Sequence, residues 1–431
     1  MVKSVELVTI NKKIPVFKNG EEAERIEVVN FTFSDGNECG YNVITQKDLY
    51  KIGDTACYIQ PDFCISDLPI FESFIRPFGD EKKCRLGKNY RVRALKFNFS
   101  FEGSNDPIYS FGILMPSSDV VAFLKNKWDV EALPELLGVT KYEEPEKSGS
   151  GLTAGPFPSF LYKTDEENIN NIKTHVTRII ESGQELGLTI KVDGSSWTLY
   201  FKRDDEGNYV PGICSRGQTK KLDQSYIKGY VDINHDGEDN SYHKYFDQET
   251  KSNGWFNDEL ERFISDDEIG DMEWMTPIMV KATDSWIDVA NKFNIIEKTK
   301  EYCEKHGVEL VLRGELNGSG LKGSGCKNNP DAKLEQNIKL FGIDSLESGF
   351  SIRQHYGNEH NLKKVAEELG VNYTESVTVK PASFDELIRI CDDIFESEKA
   401  AGRLIEGIVI RTVNSNDLSC KYLSPEYDSK K

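Results

Sequence analysis

Short segments that alternate apolar and polar residues follow one another over the first 116 residues, and turn residues separate them. These segments are VELVTI (5–10), AERIEVVNFTF (23–33), TACYIQ (55–60), YRVRALKF (90–97) and YSFGILMP (109–116). Alternation with a period of two is the pattern of half-buried strands. Strands this short and this closely spaced predict a small closed or nearly closed β-barrel. Over 119–139 the pattern changes to that of a helix.

The segment KSGSGLTAGPFPSF (147–160) interrupts these patterns, because its Ser, Gly and Pro residues offer little apolar surface to bury. From residue 157 onwards, strands alternate with helical segments such as 286–306 and 383–398. A chain of 431 residues has room for two or three domains. We therefore predict an N-terminal β-barrel domain with a helical extension (1–146), a linker (147–156) and a second domain of α+β or α/β class (157–431).

Charge narrows the functional classes. The chain has 72 acidic and 53 basic residues, and its net charge of −19 excludes a protein whose whole surface is a polycation for nucleic acid. A local basic cleft remains compatible with this charge. Residues 231–275 hold 14 of the acids and only three bases. We interpret them as an acidic, partly helical surface insertion in the second domain.

The sequence also indicates the cellular compartment in which the protein is expected. It contains no run of 18 apolar residues, and its first residues lack the apolar segment of a secretory signal. The nine cysteines form no CxxC pair and the six histidines do not cluster near them. We therefore expect a cytoplasmic protein with reduced thiols, no zinc site and no membrane association.

One segment has the opposite charge to the rest. KKCRLGKNYRVRALK (82–96) contains seven bases and no acid, and we expect Arg91 and Arg93 to share a strand face near Tyr90 and Phe97. Basic side chains interleaved with aromatics suit a nucleic-acid backbone, although a solvated strand face is the alternative. In so acidic a chain we favour RNA binding. The predicted contacts are Lys88, Arg91, Arg93 and Lys96.

The segment LGLTIKVDGSSWTLYF (186–201) carries the strongest indication of chemistry. An apolar strand ends at Lys191, Asp193 and Gly194 form a turn, and a second strand leaves it. A lysine at the end of a buried strand is poorly hydrated, which favours the neutral amine and exposes a nucleophile. The alternative is a lysine in an ordinary hairpin turn, and the residues downstream decide between the two.

KVDG (191–194) resembles the Lys-x-Asp-Gly motif of the covalent nucleotidyltransferases, which include DNA ligases, RNA ligases and mRNA capping enzymes. Later segments resemble the superfamily's other motifs in the same order. They are CSRGQ (214–218) with Arg216, LVLRGELNGSG (310–320) with Glu315, KLFGIDSL (339–346) with Phe341, IEGIVIR (405–411) with Glu406 and SCKYLSPEY (419–427) with Lys421. Each motif is weak alone, but six in order across 191–421 make a specific resemblance.

The order of the segments indicates the branch. In DNA ligases and capping enzymes an OB domain follows the final lysine motif, whereas ten residues follow Lys421 here. The segments GDTACYIQPD, NYRVRALKF, FPSFLYKTDEENINN and SWIDVANKFNIIEKTKEYC resemble a branch of ATP-dependent RNA ligases with an amino-terminal OB domain. The resemblance covers nearly the whole chain apart from the acidic stretch. It implies an α+β fold with an N-terminal OB-like β-barrel and a nucleotidyltransferase domain with ATP-grasp-like antiparallel sheets.

The resemblance implies an ATP-dependent RNA ligase that joins 3′-OH and 5′-phosphate RNA ends through lysyl-adenylate and adenylylated-RNA intermediates, a reaction of RNA repair. ATP and Mg²⁺ are the implied cofactors, with Mn²⁺ as a substitute, and we expect a monomer. By motif, Lys191 is the nucleophile, Phe341 stacks on adenine and Glu315 contacts the ribose. Lys421 contacts phosphate, and Glu406 binds Mg²⁺ with Glu315 as a second candidate ligand. Asp193 and Arg216 act when the RNA ends are engaged.

Two positions depart from the family's motifs. Ser419 stands where the first lysine of the usual Lys-x-Lys is expected, so either Lys421 serves alone or a nearby lysine compensates. The candidates are Lys202, Lys220 and Lys221. Gly342 follows Phe341 where an aspartate is usual, and Asp344, two residues on, is the candidate to replace it.

Two further segments invite other interpretations. DINHDG (232–237) begins like an EF-hand loop, but its twelfth position is His243 rather than a bidentate Glu. GSGLKGSGCK (318–327) lacks the Gly-Lys-Ser/Thr of a P-loop. Two functions remain as alternatives to the ligase: a guanylyltransferase of the capping type and a non-catalytic RNA-binding protein that retains the fold.

Overall fold

A computed structural model describes residues 4–142, 153–232, 241–246, 253–269, 272–321, 330–347 and 349–430. The described chain has a mixed α/β fold in which strands predominate. It divides into two compact units. Unit 1 comprises Met1–Pro145, Tyr162–Ser196 and Val311–Lys431, and unit 2 comprises Glu146–Leu161 and Trp197–Leu310. Most of the expected linker (147–156) lies outside the described residues, and the predicted domain boundaries stay a prediction.

Strands form most of the regular structure. The strands in unit 1 and unit 2 are, in chain order, β1 (Val5–Lys18), β2 (Glu21–Phe33), β3 (Val43–Gln46), β4 (Thr55–Ile59), β5 (Phe63–Cys64), β6 (Leu95–Phe97), β7 (Ile108–Ser110), β8 (Ile113–Pro116), β9 (Thr140–Lys141), β10 (Thr153–Pro156), β11 (Glu167–Asn168), β12 (Leu186–Lys191), β13 (Ser195–Arg203), β14 (Tyr209–Cys214), β15 (Gln218–Lys220), β16 (Ser225–Asp232), β17 (Ser241–Phe246), β18 (Asn253–Asn257), β19 (Arg262–Ser265), β20 (Met275–Lys281), β21 (Leu310–Asn317), β22 (Asn337–Glu347), β23 (Phe350–Arg353), β24 (Val377–Val379), β25 (Gly407–Thr412) and β26 (Ser419–Leu423).

The helices are shorter and fewer. They are α1 (Glu72–Ile75), α2 (Ser117–Leu124), α3 (Leu133–Leu136), α4 (Lys173–Glu181), α5 (Asp266–Ile269), α6 (Ser285–Lys292), α7 (Ile295–His306), α8 (Leu362–Leu369), α9 (Phe384–Ala400) and α10 (Pro425–Lys430). Among the residues described, no helix has the length and apolar character needed to cross a membrane. The cysteines in this part of the chain form no disulfide.

The N-terminal strands of unit 1 form a bent antiparallel sheet in the order β3-β2-β1-β4-β8. Asn19 and Gly20 both have positive φ, as the tight turn between β1 and β2 requires. Register shifts along β1 bend the strand and increase its twist. Apolar residues from the sheet, among them Phe31 and Tyr58, are fully buried. The predicted barrel-like sheet is therefore confirmed.

One of the predicted strands is wrong. Of the segment 90–97 only Leu95–Phe97 is a strand, and it is preceded by a 3-10 turn and irregular backbone. Asn89 and Tyr90 have φ of 57° and 56°, and this left-handed conformation interrupts an extended chain. Arg91 and Arg93 therefore do not share a face of a regular strand.

A second sheet of unit 1 combines strands from distant parts of the chain. Its order is β11-β26-β25-β12-β24, and β12 pairs antiparallel with β25 and β24. On one face, apolar residues of the strands pack against α4 and α9, with Leu188, Ile410 and Cys420 buried among Val176 and Leu387. Because side chains alternate along a strand, the other face carries a different set of residues. Strands β21, β22 and β23 also belong to unit 1.

Unit 2 contains the strands β10, β15, β14 and β13, in that order, and the helices α6 and α7. Helix α6 begins at Asp284, whose side chain accepts a hydrogen bond from the Trp286 N–H. Helix α7 ends at Gly307, which takes the left-handed conformation typical of a helix C-terminus.

The described residues of the acidic segment are mainly β-structure, with one short helix. Strands β19, β18, β17, β16 and β20 form an antiparallel sheet in that order, and α5 is a single turn. Tyr242, Trp255 and Ile264 form a small core. The acidic composition did not indicate these strands, although aromatic and polar residues alternate in the segment, a pattern that favours strands. Residues 233–237 of the EF-hand-like segment and 322–327 of the glycine-rich segment lie outside the described residues.

Candidate active site

Lys191 ends β12 on the face of its sheet that lies opposite the apolar core. Leu186 and Leu188 pack in the core. Because side chains alternate along a strand, Thr189 and Lys191 lie on the opposite face of the sheet. Thr189 pairs with Val409 of β25, and Val409 pairs with Lys421 of β26. Directly opposed residues in a sheet lie on the same side. Lys191 and Lys421 therefore lie on one face of the sheet.

The Glu406 carboxylate holds the ammonium group of Lys191. Lys191 Nζ lies 2.5 Å from Glu406 Oε2, and the two side chains are 30% and 12% exposed. Lys191 is paired with Gly407 in the ladder between β12 and β25, which brings Glu406 beside it. A Cβ on Gly407 would lie 3.1 Å from the Leu423 Cα, so the glycine permits the close approach of β26.

The turn after Lys191 is fixed by contacts from two other elements. Asp193 is buried and accepts a hydrogen bond from the hydroxyl of Tyr427 in α10. A Cβ on Gly194 would clash with the Leu316 carbonyl oxygen and lie 2.9 Å from Glu315 Cγ. Glu315 therefore packs directly against the turn. The structure brings Lys191, Asp193, Glu315 and Glu406 into one neighbourhood.

A buried ion cluster surrounds Ser419, the position where a lysine was expected. Arg411 pairs with Ser419 across the ladder and donates to its hydroxyl at 3.3 Å. The Arg411 guanidinium also donates to Glu166 Oε1 at 2.8 Å and to the Phe341 carbonyl at 2.8 Å. Ser419 Oγ itself donates to Glu166 at 3.2 Å. An arginine thus supplies positive charge next to the serine, and Glu166 neutralises it.

The charge of Glu166 follows from its neighbours. Burial raises the pKa of this carboxyl, but the guanidinium groups of Arg411 and Arg353 outweigh burial and hold the pKa below its ordinary value. Arg353 lies 3.5 Å from the same oxygen. The carboxylate is therefore ionised at neutral pH and bridges two arginines.

Asp344, the candidate replacement for the missing aspartate, is part of a separate buried pair. It accepts from Arg313 Nε and from the Tyr162 hydroxyl, each at 2.8 Å. Burial first, and then the Asp344 carboxylate, raise the pKa of Tyr162 to about 12. A Cβ on Gly342 would lie 3.5 Å from Arg313 Cβ, which is an ordinary van der Waals contact. Asp344 therefore joins β21 and β22 to the segment before β11.

The lysines considered as replacements at Ser419 belong to unit 2 and have other contacts. Lys220 is buried 3.4 Å from Asp284 and lies 4.5 Å from the centre of the Trp286 ring. Lys202 lies over the ring of Phe160 at 4.9 Å. Lys221 is exposed. Arg216 is also in unit 2, exposed in the turn between β14 and β15.

The basic segment 82–96 contains two kinds of residue. Lys88 and Lys96 are exposed, and Arg93 is half-buried and donates to the Arg85 carbonyl at 3.2 Å. Arg91, in contrast, is 13% exposed, is bonded to Asp62 and lies 3.5 Å from Asp428. Both carboxylates neutralise Arg91, which gives this arginine a structural role in the fold.

Helix α10 connects the basic segment to the turn after Lys191. Asp428 accepts a hydrogen bond from the Ala94 N–H at 2.9 Å and pairs with Arg91. The preceding residue, Tyr427, holds Asp193. Two consecutive residues of one helix thus contact the N-terminal segment and the Lys-x-Asp-Gly turn.

No family model matches the chain, and no curated protein matches it. Solved structures do match. A mutant of the Naegleria gruberi RNA ligase with AMP and Mn is 19% identical, with a TM-score of 0.63, and the match covers 100% of this chain and 99% of that chain. The same ligase with PPi is 20% identical, with a TM-score of 0.61 and coverage of 99% and 98%. The chain has the fold of these RNA ligases. The resemblance that the motifs indicated is confirmed at the level of the fold.

The RNA ligase fold extends over the whole chain, since another mutant of the Naegleria ligase, with ATP and Mn, is 20% identical with a TM-score of 0.62 and covers 100% of this chain and 99% of that one. The N-terminal sheet and the strands around Lys191 therefore belong to a single shared architecture. Both parts of the expected division of the chain lie within the matched region.

The motifs missed three residues of the site. Glu166, Arg411 and Tyr427 each lie inside a segment that resembles the family, but they are not the residues that define its motifs. A buried carboxylate and a buried arginine are informative only once they are seen to pair, because each alone is costly to bury. The one available signal was Arg411 itself, the charged residue that ends the apolar run IVI.

Within the described ranges, no group of three or more His, Cys, Asp or Glu residues is arranged to hold a metal ion. Mg²⁺ commonly binds through one or two carboxylates together with substrate phosphates and water. Glu406 beside Lys191 and Glu315 beside Gly194 are carboxylates of the kind that such a site uses.

Proposed function

We propose that the chain is an ATP-dependent RNA ligase that joins RNA 3′-OH and 5′-phosphate ends. The observation that carries this proposal is the placement of Lys191 beside Glu406, on the sheet face that also holds Lys421, in a chain with the RNA ligase fold. The similar Naegleria ligase structures are complexes with ATP, AMP or PPi, which are the substrate and products expected of nucleotidyl transfer.

The reaction proceeds in three transfers. The Lys191 amine attacks the α-phosphorus of ATP, forming a P–N bond and breaking the bond to pyrophosphate, while the amine loses a proton. A 5′-phosphate oxygen of RNA then attacks that phosphorus, which breaks the P–N bond and leaves a 5′–5′ pyrophosphate. The RNA 3′-OH finally attacks the 5′-phosphate, releases AMP and loses its proton.

The side chains around Lys191 have distinct parts in the first transfer. A carboxylate at hydrogen-bond distance stabilises a protonated amine, so attack by Lys191 requires that Glu406 release it. Lys421 balances charge on the α-phosphate, and Glu315 orients the ribose from its place against the turn. Phe341 stacks on adenine. Mg²⁺, held through Glu406 and Glu315, would offset phosphate charge when bound.

The domain assignment is part of the proposal. The barrel-like sheet of residues 1–146 is an OB domain that binds RNA, and residues 157–431 are the nucleotidyltransferase domain with the acidic sheet inserted at about 231–275. The exposed Lys88 and Lys96 and the half-buried Arg93 contact the RNA backbone. Arg91 maintains the fold of their segment through Asp62 and Asp428. Asp193 and Arg216 act when the RNA ends are bound.

The test is covalent labelling. The purified protein is incubated with a divalent cation and ATP labelled at the α-phosphate, then denatured and separated by electrophoresis. We expect label on the wild-type protein and none on Lys191→Ala, because only Lys191 forms the P–N bond. Lys363→Ala, at an exposed lysine of α8 whose ammonium lies 3.9 Å from Glu367, is the matched control and should be labelled normally.

The same experiment separates the alternatives. Label from GTP rather than ATP would indicate a capping-type guanylyltransferase. Absence of label with either nucleotide, in a folded protein that still binds RNA, would indicate a binding protein. A labelled enzyme is then given RNA with 3′-OH and 5′-phosphate ends, and loss of label with formation of a joined product completes the demonstration.

A further inference from the structure

The segment before the basic run presents one aromatic ring to solvent. Phe78 is 95% exposed, far more than any other phenylalanine identified as exposed. It has φ of 59° in a turn that the Gly79 N–H closes by donating to the Arg76 carbonyl at 2.9 Å. Arg76 is held in turn by Asp67 and Glu72. The ring therefore projects from an anchored turn rather than from a loose loop.

A positively charged side chain lies over this ring. Lys83 Nζ is 5.3 Å from the centre of the Phe78 ring, and Lys83 belongs to the run of basic residues from 82 to 96. The two acids nearest in sequence are engaged in local contacts, Asp80 with the Lys82 N–H and Glu81 with the Tyr90 hydroxyl. Exposed aromatic faces next to lysines and arginines are the pattern with which proteins hold single-stranded nucleic acid.

The segment is also tied to the candidate active site. Arg91 and the Ala94 N–H contact Asp428, and the next residue back in α10, Tyr427, bonds to Asp193 two positions after Lys191. A strand of RNA that lies along the basic residues of 82–96 is thereby directed toward the turn after Lys191. The charge of the segment and this connection favour RNA over a protein as the occupant.

We propose that Phe78 stacks on a nucleobase of single-stranded RNA close to the end being joined. Lys83 and the neighbouring basic residues contact the RNA backbone. The inference rests on the proposed function for the identity of the substrate. Stacking on an aromatic ring depends little on the identity of the base. The site therefore holds RNA without selecting its sequence.

The experiment measures RNA binding and labelling separately. Fluorescence anisotropy of a labelled single-stranded RNA without ATP is recorded for the wild type, Phe78→Ala, Phe78→Trp and Phe350→Ala, whose ring is 64% exposed on β23. Covalent labelling with ATP is recorded for the same proteins. We expect Phe78→Ala to weaken RNA binding about tenfold, since the stacking of one base on one ring is lost. Phe78→Trp should bind like the wild type, and Phe350→Ala should be unchanged in both assays.

Each outcome has a definite meaning. RNA binding by Phe78→Ala within twofold of the wild type overturns the stacking proposal and points to a protein partner for the exposed ring. Weakened binding with normal covalent labelling supports it. Loss of labelling in the wild type, with the RNA affinities still separated by Phe78→Ala, refutes the ligase activity and leaves the RNA contact standing.

Discussion

Glu166 holds together the buried ion cluster around Ser419. Its carboxylate is shared by the buried Arg411, the half-buried Arg353 and the Ser419 hydroxyl. Removing the charge of one partner from a buried cluster leaves the remaining charges uncompensated, which costs about 3–5 kcal/mol. The cluster therefore fixes β25 and β26 relative to the segment that precedes β11.

We expect Glu166→Gln to lower the free energy of unfolding at pH 7 by roughly 3 kcal/mol. The folded-state pKa of Glu166 lies below the ordinary 4.5, so its contribution is complete above about pH 4.5 and is lost as the pH falls further. Urea unfolding of both proteins at several pH values checks this. The difference in the free energy of unfolding between the two proteins should decrease below pH 4.5. A difference that increases there contradicts the assignment.

Glu359→Gln is the matched control for that measurement. Glu359 is an exposed glutamate of the same unit. Surface substitutions of this kind usually change stability by less than about 0.5 kcal/mol. A comparable loss in both variants would mean that the cluster around Glu166 has no special importance.

Lys191 and Glu406 could be predicted from the sequence because each belongs to a short motif with a recognisable chemistry. Arg411 and Tyr427 could not, because their partners Glu166 and Asp193 lie 245 and 234 residues away. The same limit applies to Asp344, whose pairing with Arg313 only the sheet reveals. Local patterns identify the reactive residue, whereas the residues that position it depend on tertiary structure.

The turn between β12 and β13 is where three elements meet. Gly194 allows this, because any side chain there would collide with the end of β21. The glycine is required because β21 approaches closely and leaves no space for a side chain. It is not required for an unusual backbone conformation, since Gly194 is not among the residues with positive φ. The glycine of the motif therefore sets the position of Glu315 relative to Lys191.

We expect Gly194→Ala to reduce the rate of lysyl-adenylate formation by ten- to a hundredfold, because displacing the turn moves the nucleophile relative to Glu315. Quenched-flow labelling with ATP measures this rate. Gly155→Ala is the control, since a Cβ there meets nothing within 4 Å. An unchanged rate for Gly194→Ala would show that the turn tolerates the shift.

Helix α10 is a short element with two attachments. Tyr427→Phe removes only the hydroxyl that donates to Asp193, and hydrogen bonds to charged groups contribute about 1.5–3 kcal/mol. We expect a loss of about 2 kcal/mol in the free energy of unfolding. We also expect slower transfer of AMP to RNA, because Asp193 loses the hydrogen bond that orients its carboxylate.

Thermal unfolding and single-turnover transfer from pre-labelled enzyme check this expectation. Tyr373→Phe provides the comparison, since its exposed hydroxyl donates to Glu367 at 3.3 Å and contributes little to stability. Equal behaviour of the two variants would indicate that Tyr427 has no positioning role.

At the scale of the whole molecule, the acidic sheet has its own core, and all the residues assigned around Lys191 belong to unit 1. Asp232 and Met275 are Cα partners in the ladder between β16 and β20. An Asn-Gly turn can therefore join them in place of residues 233–274. We expect this shortened protein to fold and to form lysyl-adenylate within about threefold of the wild-type rate. Loss of labelling in a folded protein would give the insertion a part in the reaction.

The sequence predicted the barrel-like sheet and the order of the motifs, because strand alternation and short motifs are local properties. It did not predict the sheet in 231–275, where acidic composition masked alternating aromatics such as Tyr242 and Trp255. Nor did it predict the irregular backbone at Asn89 and Tyr90, whose positive φ has no signal in the hydrophobic pattern.

The position of β12 between β24 and β25 has a consequence for synthesis. Lys191 and Glu406 are 215 residues apart, so the strand that carries the lysine must wait for neighbours made much later on the ribosome. Pairings this distant in sequence form late and slowly. A nascent chain that ends before β25 has Lys191 but lacks Glu406 and the strands β25 and β26. We therefore expect incomplete products of translation to be inert toward ATP, which confines the consumption of nucleotide to finished molecules.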